Sequence, residues 1–102
     1  MVGAQGPNAA NVNGVYEPVD EAYNGKVLFR KRGDADKWLR YTTTQKWVVS
    51  STASKDANNT TGWCMSVELG LASPMEVSSW EIAVGGKFVA QATIATLPIV
   101  RL

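Results

Sequence analysis

From Val15 onward the chain alternates short apolar stretches with residues that favour turns. Val, Ile, Phe, Tyr and Trp fall in short apolar or alternating runs, and Gly, Asn, Asp and Ser cluster between them, which is the pattern of strands. The expected strands cover residues 15–18, 26–31, 38–42, 46–51, 63–67, 79–84, 87–91 and 94–100. Asn24-Gly25 and Gly85-Gly86 suit two-residue hairpin turns, because both central positions of such turns need positive φ. In SWEIAVGGKFVAQ (residues 79–91), Trp80, Ile82 and Val84 share one strand face, and Phe88 and Ala90 share a face of the next. No helical periodicity is sustained, so helix is confined to a single turn within residues 55–59. The class that follows is all-β, a small antiparallel sheet of about seven or eight short strands folded into a barrel or sandwich. Residues 1–14, MVGAQGPNAANVNG, carry little large apolar surface and are expected to form a flexible arm or linker ahead of a single all-β domain, residues 15–102.

The aromatic residues sit almost wholly inside the expected strands. Burying one Trp removes about 200 Å² from water, worth at most about 5 kcal/mol, while a whole domain is stable by only about 5 to 15 kcal/mol. A small domain therefore places most of its four Trp in the core. The competing reading is a ligand-facing platform that stacks sugars, for which Trp38, Trp47, Trp63 and Tyr41 are the candidates.

Composition narrows the chemistry. Ten Lys and Arg against nine Asp and Glu give a net charge of +1, scattered along the chain without a basic block, so neither nucleic acid nor an anionic membrane is expected as a partner. No apolar run approaches the ~20 residues that span a bilayer as a helix. The absence of histidine removes Ser-His-Asp and Cys-His catalysis and histidine metal sites. The single cysteine, Cys64, cannot form an intramolecular disulfide or a Cys-rich zinc site and reads as a packed thiol. The N-terminus has no signal-peptide pattern, which favours an intracellular setting while leaving the compartment open.

Carboxylates remain. Asp34 and Asp36 open the stretch GDADKWLRYTTTQKWVVSST (residues 33–52), yet Trp38 stands where a calcium loop needs an oxygen donor, so these acids are expected on a hairpin in water. The loop DANNTTGW offers Asp56, Asn58 and Thr60 at alternate positions as a calcium candidate. Thr61 replaces the loop glycine and Val67 the closing glutamate, so a turn that satisfies its own backbone is the favoured reading. No catalytic set and no cofactor is expected. The apolar segment from Gln91 to Leu102, uncharged before Arg101, is a candidate for oligomerisation by strand exchange.

Asn13-Gly14 before Val15 and Tyr16, the second Asn-Gly at Asn24-Gly25, the Trp-rich hairpin over residues 38–51, the polar loop to Gly62, and Pro74 followed by Trp80 form a recurring layout. It resembles a repeat module of algal and other protist proteins with no established activity. The resemblance implies a scaffold or protein-interaction module, used in tandem with neighbouring copies, and nothing catalytic. The function expected is therefore non-enzymatic protein interaction, with a carbohydrate-binding β module as the alternative.

Overall fold

The computed structural model describes residues 1–96. Seven strands lie in the sheet in chain order: β1 (Tyr16–Tyr23), β2 (Lys26–Lys31), β3 (Lys37–Tyr41), β4 (Trp47–Ser51), β5 (Cys64–Ser66), β6 (Trp80–Val84) and β7 (Lys87–Ala90). Every neighbouring pair is antiparallel. The protein is all-β as its alternation predicts. The sheet is an open meander, with β1 and β7 as its edges and no pairing between them among the described residues. Of the expected last strand, Ala95 makes a bridge to Val2, and residues 97–100 lie outside the described residues.

Turn chemistry sets the hairpins. Gly85 and Gly86 adopt φ of 57° and 80°, so β6 and β7 are joined by a two-residue turn whose twist suits the strands. β1 is longer than its alternation predicts. Its acidic stretch joins the ladder because the tight Asn24-Gly25 turn imposes the pairs Tyr23 with Lys26 and Ala22 with Val27, and an irregularity between Pro18 and Ala22 absorbs the mismatch.

The two faces of the sheet are covered differently. Register puts Leu39 beside Val49, Val49 beside Cys64, and Cys64 beside Ile82, and these join Trp47 and Trp80 in one buried cluster. Residues 1–14 cover that face, which corrects the expectation of a flexible arm: Met1, Ala4 and Val12 are buried in the same cluster. Asparagine does the work that composition hid. Asn13 exchanges two hydrogen bonds of 3.0 Å with the backbone of Ala4, and Asn8 Nδ2 donates to Ala83 O at 2.8 Å. A short helix, α1 (Ala9–Val12), lies within this segment, and the Tyr16 hydroxyl donates to Val12 O at 2.8 Å. The opposite face, with Trp38 beside Ser50 and Arg40 beside Val48, lies under the segment that begins with α2 (Thr52–Ala57) and runs to Gly62.

Candidate functional site

The most polar buried group is Arg40, which is fully buried in β3. Its Nε donates to Ser50 Oγ at 2.7 Å, Nη1 to Asn59 O at 2.6 Å, and Nη2 to Thr61 O at 2.9 Å and Asn59 Oδ1 at 3.2 Å. Among the described residues no carboxylate shares it, and burial lowers its pKa below the usual guanidinium range. Backbone carbonyls that would otherwise stay unpaired are thus gathered around one guanidinium, which fixes residues 58–62 to the sheet. Gly62 permits this approach, because a Cβ there would stand 2.3 Å from both Val48 Cγ1 and Val49 O.

The arrangement also places the calcium candidates. Asn58, in the left-handed region with φ of 51°, caps α2 and holds Asn24 through bonds of 2.9 Å and 3.2 Å, and Asn58 Oδ1 also accepts from the Tyr23 hydroxyl at 3.0 Å. Asp56 is exposed and pairs with Lys55 at 3.0 Å, and Thr60 is exposed. The loop oxygens beside them, on Asn59 and Thr61, face the cation that the chain itself supplies, Arg40. Among the described residues no three His, Cys, Asp or Glu side chains converge on a metal position.

Asp34 and Asp36 sit on the turn before β3, as expected. Asp34 forms an ion pair with Lys37 at 3.2 Å, and that hydrogen-bonded partner, together with the Asp36 backbone N–H, holds its carboxyl below the ordinary 3.8. Asp36 Oδ1 accepts from Thr52 N at 3.1 Å and Ser51 Oγ from Ser54 N at 3.3 Å, so Asp36 and Ser51 start α2, while Asp34 stays with Lys37.

The aromatic platform is not formed. Trp47, 1% exposed, packs edge-on against Phe29 and donates Nε1 to Leu71 O at 3.0 Å. Trp38 is buried, with Arg30 Cζ 5.6 Å and Lys55 Nζ 4.4 Å from its ring centre. Tyr41 and Trp63 are half-buried, and each lies under a lysine: Lys26 Nζ at 5.3 Å and Lys37 Nζ at 5.1 Å. The physical reason is the same in each case. A large ring gains more from burial and from its own cations than from waiting in water for a ligand.

Two further features need an account. Cys64 is fully buried, and burial, with a smaller contribution from the charge of Glu81, pushes its thiol up to about 12. It is packing rather than a nucleophile at neutral pH. An open cavity of about 840 Å³ lies between the N-terminal segment and the sheet, lined by Met1, Val15, Tyr16, Phe29, Leu39 and Met75. At its rim Arg32 is held by Glu17 through two bonds of 3.1 Å, so the one guanidinium that the described residues place on its wall is already paired with a carboxylate.

The edge strand β7 has a different character. All four of its residues are exposed, with Phe88 at 39% and Val89 at 46%. Register pairs Val89 with Ile82 and Phe88 with Ala83, so the two apolar side chains stand on opposite faces. In a ladder closed by a two-residue turn, Lys87, Val89 and Gln91 spend their backbone groups on β6, and Gln91 N donates to Trp80 O at 3.1 Å accordingly. The N–H and C=O of Phe88 and Ala90 therefore point outward, and among the described residues no strand pairs with them. The pattern FVA at the end of a hairpin, with no charge between Lys87 and Arg101, is the signal in the sequence that could have found this surface. Comparison with protein-family models, with curated proteins and with solved structures returned no match.

Proposed function

We propose that the chain is a non-enzymatic protein-interaction or scaffold module that docks an extended strand on the outer edge of β7. The observation that carries this reading is the edge at Phe88 and Ala90, unpaired among the described residues and flanked by apolar side chains on both faces. Strand addition uses both features, since backbone bonds supply affinity and alternate side chains supply selectivity. The lack of histidine and the inert thiol of Cys64 support a role without catalysis. Use in tandem, which the resemblance implies, fits a scaffold whose neighbours present strands to one another.

Selection from a displayed library of random peptides tests the reading. The chosen peptides are expected to be extended sequences with alternating apolar positions, and to lose binding to Val89→Lys. Peptides that bind the variant as well as the parent chain would contradict docking at β7.

A further inference from the structure

Resting on that reading, we propose that the strand seated on β7 is the β7 of a second copy of this chain, in an antiparallel pairing centred on Val89. The outward groups define the register. Phe88 and Ala90 carry the outward N–H and C=O, unpaired among the described residues, so Phe88 of one copy meets Ala90 of the other, and the two-fold axis gives the same exchange again. Val89 then faces Val89 across the axis as a pair without backbone bonds, where the Cα atoms of such pairs stand about 4.5 Å apart.

Side chains agree with the backbone in this register. On the core face the row reads Ile82, Val89, Val89 of the second copy, Ile82 of the second copy, and Ile82 is already fully buried. The core would continue across the axis without a polar interruption. On the other face Phe88 covers Ala90 of its partner, a large residue beside a small one, in place of two rings competing for the same space. Lys87 meets Gln91, so no like charges oppose one another, whereas centring the pairing on Phe88 sets the two Phe88 rings directly against each other and Lys87 beside Val89. The result is one continuous sheet built from two sheets of seven strands. Strand exchange expected from Gln91 to Leu102 does not supply this contact in its described part, because Ile94 is buried in its own core and Ala95 is bridged to Val2.

Sedimentation of the intact chain from micromolar to millimolar concentration is expected to pass from the 11.0 kDa monomer to a species of twice that mass. Val89→Lys is expected to abolish the dimer, as is Val89→Glu, and an equimolar mixture of the two is expected to restore it. Far-ultraviolet circular dichroism of each variant checks that the fold is retained. Under mild oxidation Val89→Cys should cross-link and Lys87→Cys should not, since its equivalents lie about 13 Å apart along the strands. A monomer at every concentration, a dimer that survives Val89→Lys, or equal cross-linking of the two cysteine variants would overturn the proposal. Peptide selection decides the underlying reading separately: peptides lost on Val89→Lys alongside a strictly monomeric chain would sink the second copy and leave β7 as the docking edge.

Discussion

The two edges of this sheet are topologically alike and chemically opposite. β1 carries Glu17, Asp20 and Glu21, an irregularity in its ladder, and Pro18, which has no N–H to offer. Each of these discourages another strand from adding. β7 carries Phe88, Val89 and Ala90 with regular pairing throughout and only Lys87 at its start. The difference teaches that an open meander does not make both of its edges sticky. Side-chain choice closes one and leaves the other available, and the available one is where a partner adds.

The same contrast runs through the packing. The middle of the sheet is covered on both faces, by residues 1–14 on one and by residues 52–62 on the other, while β7 is bare on both. Stability is therefore expected to be graded across the molecule. The largest test is Trp47→Ala, expected to cost about 4 kcal/mol in urea unfolding because it empties the centre of the core. A loss within about 0.5 kcal/mol, the level of an ordinary surface change, would break the assignment of a covered middle. Next is Arg40→Met, expected to cost about 3 kcal/mol by leaving the carbonyls of Asn59 and Thr61 and the Ser50 hydroxyl without their donor. Proteolysis in the variant should begin within residues 58–62.

Alkali probes the covered region more gently. The Cys64 thiol is raised from the ordinary 9.0 to about 12, and Tyr16 is raised above its ordinary 10.0, mainly by burial in both cases. Below pH 9 the thiol is neutral in both folded and unfolded chains, so the stability linked to it is whole. Between 9 and about 12 the unfolded chain alone ionises, so stability falls as pH rises. Cys64→Ala is expected to flatten that fall, as read by thermal melts at successive pH values; an unchanged slope would contradict a buried thiol. The smallest effects on folding belong to the edges. Phe88→Ala and Pro18→Val are each expected to stay within about 0.5 kcal/mol of the parent in dilute solution. Their association should diverge: Phe88→Ala weakens it at β7, and Pro18→Val, by giving β1 a backbone donor, adds a second contact and larger species in sedimentation.

Much of the fold was legible because alternation and turn chemistry are local. β2 (Lys26–Lys31) falls where its pattern predicts, and the Gly85-Gly86 hairpin needs nothing beyond its own residues. The N-terminal segment was not legible for the opposite reason. Its stability comes from asparagine bonds to Ala83 and Ala4 and from small side chains filling gaps, none of which leaves periodicity in sequence. Arg40 alternates with apolar neighbours, a pattern that fits a solvent-facing row and a second covered face equally. What decides between them is the folding of residues 52–62 onto that face, a contact that no local pattern encodes. For β7 the strand was legible and its exposure was not, since an edge is defined by the strand that fails to follow it.

Residue-resolved amide hydrogen exchange of the intact chain, measured at micromolar and at millimolar concentration, addresses the central claim most directly. In the dilute sample the account predicts protection at Val89 and Gln91, whose N–H groups face β6, and rapid exchange at Phe88 and Ala90, whose N–H groups face outward. At high concentration Phe88 and Ala90 become protected while β1 is unchanged. Exchange at Phe88 and Ala90 that stays rapid at every concentration, or slow at every concentration, would contradict a free edge that a second copy fills.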